Sequence, residues 1–218
     1  MFHPFKTILI LTALLPFLPA EAGVSVLGKV ILAKEGTGIS NAVVWLEIAE
    51  HQPSRELKIE SMVQKGKELH PKVLVAPTNT EVYFPNQDPI FHNIFSFNKV
   101  KKLDLGNYKG KGNPVIFGEP GVYPIGCSIH PWMSAYIVIV SSPFFSKSGA
   151  GGDFTLKDLK VGTHTFFLWN PDFKETQTRE VNLIEGVNNL KWEISKDQLK
   201  RKRKKRSKRK KKSSYSGY

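Results

Sequence analysis

The segment Gly126-Cys127-Ser128-Ile129-His130-Pro131-Trp132-Met133 gathers the single cysteine of the 218-residue chain, one histidine and one methionine into seven residues. Pro131 lacks a backbone N–H and its ring would clash with a preceding helical turn, so the segment reads as a loop. Gly121-Val122-Tyr123-Pro124-Ile125 before it and Tyr136-Ile137-Val138-Ile139-Val140 after it read as strands, the second rich in β-branched residues. Upstream, Phe91-His92-Asn93 follows Asn86-Gln87-Asp88-Pro89, a turn-forming run between two apolar stretches. No long amphipathic helical period occurs anywhere, and 17 glycines and 14 prolines suit many short strands and turns. The expected class is all-β.

Cys127, His92, His130 and Met133 together offer a thiolate, two imidazoles and a thioether, the ligand set that selects a type 1 (blue) copper centre. A thiolate and two imidazoles in a plane suit both Cu(I) and Cu(II), and a weak axial thioether penalises neither, so one electron moves with little rearrangement. Zinc would take Cys and two His, but Met is a poor zinc ligand and the usual paired cysteines are missing. A Cys–His nucleophile would need an orienting Asn or Asp, and none is evident.

Residues from about Val73 to Val140 resemble a cupredoxin of the plastocyanin and amicyanin type. The likeness rests on His92-Asn93 after an Asn/Asp turn, on Gly121-Val122-Tyr123, and on Cys127-x2-His130-x2-Met133 in the short, amicyanin-like spacing. It implies a Greek-key β-sandwich holding one copper on His92, Cys127, His130 and Met133. It further implies that Asn93 donates its backbone N–H to the Cys127 sulfur and ties the two ligand loops through its side chain. The C-terminal ligand edge, His130, would reach the surface in an apolar docking patch formed by Pro131, Trp132 and Phe91 with Pro89 and Ile90.

Blocks on either side of that segment have strand character of their own. Gly28-Lys29-Val30-Ile31, a turn at Gly36-Thr37-Gly38, and Asn41-Ala42-Val43-Val44-Trp45-Leu46 precede it; Gly152-Asp153-Phe154-Thr155-Leu156, Thr163 to Trp169, and the alternating Leu190, Trp192 and Ile194 follow it. These resemble the halves of a carboxypeptidase-regulatory-like domain, a small transthyretin-like β-sandwich that serves as a scaffold. About 100 residues separate the halves, far beyond an ordinary connection, which favours a domain insertion. An N-terminal hairpin on the cupredoxin with a separate C-terminal sandwich is the alternative. The expected organisation is a signal peptide over 1–22, sandwich halves at 23–50 and 143–195, a cupredoxin domain at 51–142 and a disordered tail at 196–218. Exported proteins with this combination are sometimes labelled methylamine-utilisation proteins.

Lys6 followed by an apolar run from Ile8 to Leu18 and then Ala20-Glu21-Ala22 reads as an export signal cleaved after Ala22. A lone cysteine in an oxidising space invites damage unless something occupies it, and a bound copper would. From Lys200 to Lys212 every residue but Ser207 is Lys or Arg, and without this run the formal charge of +13 falls to +1. Such a block self-repels and stays unfolded. Export argues against nucleic acid as its partner, leaving an anionic membrane surface or an acidic redox protein. His3 lies in the export segment and His51 in a linker, while His70 and His164 read as surface or sheet residues.

The expectation is a periplasmic or otherwise exported copper protein, peripheral at the membrane surface, that carries single electrons between redox partners. It is not an enzyme, because four protein ligands leave no open position for substrate. A copper carrier without redox turnover, or a carbohydrate- or protein-binding sandwich, is the alternative.

Overall fold

The computed structural model describes residues 23–47 and 57–201. The expected export segment 1–22 with His3, the expected linker with His51, and the basic run from Lys202 onward lie outside the described residues.

The described residues begin with β1 (Val24–Leu32) and β2 (Val43–Leu46). Ten strands follow: β3 (Lys58–Ser61), β4 (Val63–Lys65), β5 (Glu68–His70), β6 (Val73–Pro77), β7 (Thr80–Tyr83), β8 (His92–Phe97), β9 (Lys102–Tyr108), β10 (Val115–Phe117), β11 (Gly121–Gly126) and β12 (Ser134–Val140). The last are β13 (Phe145–Lys147), β14 (Asp153–Leu159), β15 (Gly162–Trp169), β16 (Gln177–Leu183) and β17 (Val187–Ile194). Among the described residues the only helical element is one 3-10 turn, Lys196–Gln198. The protein is all-β.

Strands from the two ends of the chain share sheets. One sheet runs β14-β1-β17 and faces another of order β13-β2-β15-β16. Their inward residues, among them Val26, Val30, Leu46, Phe154, Phe166, Leu168, Trp192 and Ile194, form one buried core. Gly28 sits where a Cβ would run into the Phe154 ring, so the closeness of β1 and β14 requires a glycine there.

The middle of the chain forms its own sandwich, a five-stranded sheet of order β6-β12-β11-β8-β9 over a three-stranded sheet of order β10-β7-β3. Met62, Phe84, Ile94, Phe117, Tyr123 and Ile137 fill the space between them. Strand β12 runs antiparallel to β11 and parallel to β6, so distant parts of the chain become neighbours, as a Greek-key crossover requires. The β4–β5 hairpin forms a separate two-stranded sheet, meets Asn86 through a bridge at Gln64 and buries Leu69 in the same core.

A third apolar cluster joins the two sandwiches: Val43 and Trp169 from one, Val73, Val138 and Val140 from the other. Tyr136 meets Trp169 edge-on at 5.3 Å, and Lys147 donates its ammonium to the Val73 carbonyl at 2.8 Å. The run Tyr136 to Val140 is apolar at every position because both faces of β12 are covered, one by its own core and one by the neighbouring sandwich.

One boundary differs from the sequence expectation. The tail does not begin at residue 196: Ser195 and Gln198 cap the 3-10 turn, Leu199 bridges to Phe173, and the Lys200 N–H donates to the Asp172 carbonyl. Ser195-Lys196-Asp197-Gln198 is a capping box, which anchors the chain end before the basic run starts.

Candidate metal centre

Strands β11 and β12 pair from Gly121↔Ile139 to Gly126↔Ser134, which leaves Cys127 to Met133 as the connecting loop. Within it the Met133 N–H donates to the His130 carbonyl at 2.8 Å, so His130-Pro131-Trp132-Met133 is a tight turn with proline at its second position, where a fixed φ suits the bend. The Cys127 N–H donates to the Met133 carbonyl at 3.2 Å and closes the loop. Turn and closure bring Cys127, His130 and Met133 to one end of the sandwich. His92 opens β8, the strand next to β11, and is fully buried.

The ligand atoms of His92, Cys127 and His130 all lie within 4.8 Å of one another. The two imidazoles meet at 71°, with Nδ1 to Nδ1 at 3.1 Å. With metal–nitrogen bonds of about 2.0–2.1 Å, two donors on one small cation stand about 3 Å apart, so this spacing fits a shared ion. Met133 is buried at the end of the same loop, and the Cys127 thiol is buried beside it. A thiol and two imidazoles that converge where the chain is buried, with Met133 buried in the same loop, fit copper.

Asp88 fixes which nitrogen of His92 faces the site. Its carboxylate lies 2.8 Å from His92 Nε2 and also accepts the backbone N–H groups of Gly66 and Lys67 at 2.7 and 2.8 Å. With Nε2–H donated to Asp88, His92 presents the Nδ1 lone pair inward, as a carboxylate–histidine–metal arrangement requires. Burial would raise the Asp88 carboxyl, but the N–H groups of Lys67 and Gly66 and the imidazole outweigh it and hold it below the usual carboxylate range. Burial likewise lowers the His130 pKa, with His92 and Lys67 pushing the same way against Asp88. Both shifts favour the forms a metal needs, an ionised carboxylate and a neutral imidazole.

Further side chains hold the loops. Asn93 accepts both the backbone N–H and the hydroxyl of Ser128, at 2.8 and 3.0 Å, tying β8 to the cysteine loop. Asn86 donates to the Ile90 and Tyr108 carbonyls and accepts the Asp88 N–H, which shapes the turn before His92. Tyr108 donates to the Phe84 carbonyl at 2.6 Å; burial pushes its phenol up to about 12, so it stays a neutral donor.

Of the expected docking residues, Phe91 is 55% and Trp132 62% exposed, and Pro131 is exposed beside them. Trp132 meets the His130 ring edge-on at 5.2 Å, and Lys109 lies over Phe91 at 4.6 Å. His70 and His164 stand apart from the site, the first near Glu68 and the second against the Lys160 carbonyl. The partner role of Asp88 was missed in the sequence. Its four-residue lead over His92 was visible, but the Gly66–Lys67 turn that completes its contacts lies 21 residues or more away.

No protein-family model and no curated protein matches the chain. Solved structures do. The Cu-containing nitrite reductase from Thermus scotoductus SA-01 is 23% identical over 44% of this chain and 25% of that one, with a TM-score of 0.37. A methionine-to-alanine mutant of amicyanin, Cu(I), is 19% identical over 38% of this chain and 82% of that one, TM-score 0.36. A purple cupredoxin from Nitrosopumilus maritimus is 26% identical over 37% of this chain and 99% of that one, TM-score 0.32. The chain spans a quarter of the length of the nitrite reductase, and each of these alignments covers less than half of the chain.

Proposed function

We propose that this protein is an exported one-copper electron carrier of the cupredoxin type that docks redox partners at the His130 edge. The observation that carries the reading is the convergence of His92, Cys127 and His130, with ligand atoms within 4.8 Å, beside a buried Met133. Copper, when bound, supplies a one-electron couple.

The chain's own residues do the rest. Asp88 keeps the proton of His92 on Nε2, so no proton need move at that ring when charge changes. Asn93, Asn86 and the His130–Met133 turn hold the ligand loops in place, which limits rearrangement between oxidation states. Burial of His92, Cys127 and Met133 keeps water from the donors. Four protein donors leave no position for substrate, which supports a carrier over an enzyme. The exposed Trp132, Pro131 and Phe91 form an apolar patch of the kind that marks a transient contact.

Export with cleavage after Ala22 rests on the pattern of the first 22 residues, and a peripheral place at an anionic membrane rests on the charge of the basic run. The pairing of β1 with β14 and β17 supports reading the middle sandwich as an insertion into a regulatory-like scaffold. A spectroelectrochemical titration of the copper-loaded protein tests the reading. Reversible one-electron cycling with copper retained against a chelator is expected. Loss of copper on reduction would make the protein a metal carrier instead.

A further inference from the structure

The outer face of the five-stranded sheet is half covered. Over β6 and β12 it meets the other sandwich through Val73, Val138 and Tyr136. Over β8 and β11 it is bare, and a groove of about 670 Å³ runs there. Phe95, Phe97, Val122 and Pro124 line it, and it ends on Cys127 and Met133. Phe97 is 81% exposed, the largest exposure among the exposed large hydrophobic residues, and it packs on Phe95 at 5.0 Å, with Phe95 directly opposite Gly126.

The margin of this groove is basic. Lys99 lines it, Lys101 lies in the same β8–β9 connection, and Lys102 opens β9 opposite Phe97. The lining itself holds no acidic residue, while Asp104 stands beside it, opposite Phe95. The connection is also pre-ordered. Asn98 donates to the Val122 carbonyl at 2.6 Å and accepts the Val100 N–H at 2.7 Å, so the lysines are held beside the groove before anything binds.

We propose that this groove is a second docking face, which receives an acidic redox protein and passes one electron on the Cys127 side of the metal centre, away from the Trp132 edge. The inference rests on the copper reading above. An exposed apolar sheet face continuous with a covered one marks a contact surface. A rim on which three lysines outnumber the carboxylate of Asp104, opposite Phe95, favours a partner of the other sign and speeds encounter. It also disfavours a second copy of this chain, whose lysines would meet their own kind. In the step itself the partner's centre loses or gains one electron and the copper gains or loses it, with no bond made or broken.

The probe is a plant-type ferredoxin, an acidic iron–sulfur protein whose low potential lets it reduce Cu(II). Titrating it into the isotope-labelled full chain at low salt should shift the amide resonances of Phe95, Phe97, Lys99 and Gly126. Stopped-flow reduction of the copper-loaded chain should slow about tenfold in Phe97→Ser, and about tenfold with a flatter salt dependence in Lys99→Glu/Lys101→Glu/Lys102→Glu. The visible band should not move in either variant. Trp132→Ala should leave the groove shifts in place. Shifts confined to the surroundings of Trp132, or no shifts at low salt, would overturn the proposal, as would unchanged rates in both groove variants. Concentration-dependent self-association lost in Phe97→Ser would overturn it too, by making a second copy the occupant. The shift map can be repeated on metal-free protein, so failure of the groove and failure of the copper reading give different results.

Discussion

Ser148 and Asn170 in the flanking sandwich and His92 and His130 in the middle one are all buried polar side chains, yet their partners differ in kind. Ser148 accepts the Ala42 N–H and donates to the Ile39 carbonyl; Asn170 donates to the Ser40 carbonyl and accepts the Asp172 N–H. Each is satisfied by backbone and fastens a turn. His92 and His130 instead turn ring nitrogens towards each other and towards a thiol, with a carboxylate behind one of them. Buried polar groups that end on backbone are structural, whereas buried groups that converge on one another mark a site. Among the described residues, the converging groups lie in the middle sandwich.

Breaking the scaffold should be the largest effect that leaves the chemistry alone. Phe166 is fully buried in the flanking core, and Phe166→Ala should lower unfolding stability by about 3–5 kcal/mol in denaturant titrations. The visible spectrum of the folded fraction should not change. A displaced absorption band would mean that the two sandwiches are coupled at the metal.

Asp88→Asn sharpens the other side of the comparison. The Asp88 oxygens accept three N–H groups, so an amide would turn a donor towards a donor. Copper affinity, read by competition with a chelator, should fall about 10–100-fold with stability less affected. An unchanged affinity would show that His92 needs no outer partner.

The joint between the regions should respond more weakly. Lys147→Met removes the hydrogen bond to the Val73 carbonyl but keeps the apolar stem, and should cost about 1 kcal/mol. Calorimetry would show a small loss of cooperativity between the sandwiches, or none if the apolar cluster alone joins them.

Acid provides the gentlest separation. His130 in the metal-free protein is held below its ordinary pKa of 6.5, so the folded state resists a proton that the unfolded chain takes up. Its stabilisation is complete above about 6.5 and is lost as pH falls through the lower folded pKa. Asp88, also lowered, acts in the same direction below its ordinary 3.8. The Tm of the metal-free protein should therefore fall on acidification from pH 7 to 5, and His130→Gln should flatten that slope. A Tm that rises would contradict the assigned shift.

Much of the site is legible in the sequence, for a physical reason. Cys127, His130 and Met133 lie on one short loop, so local sequence puts them together, and Pro131 signals the bend. His92 was legible from its turn and from strand order. The Asp88 clasp was not, because it needs the Gly66–Lys67 hairpin turn to fold across, and no local pattern encodes that approach. The joint between the sandwiches left a trace that could have been read: Tyr136 to Val140 is apolar on both faces, which a strand with one wet face would not be. The groove at Phe97 left less, since an exposed phenylalanine and a buried one look alike in sequence. The expected tail starts too early at 196 because the basic run from Lys200 dominates the reading, while Ser195 and Gln198 cap a turn whose next residue, Leu199, bridges to Phe173.

The central claim is that Cys127, with His92, His130 and Met133, makes a type 1 copper centre. The most direct test is the visible absorption and electron paramagnetic resonance spectrum of the protein after one equivalent of Cu(II), with Cys127→Ser alongside. An intense thiolate-to-copper band with a narrow copper hyperfine splitting, absent from the serine variant, is the expected result. A colourless complex, or a spectrum indifferent to Cys127, would contradict the account.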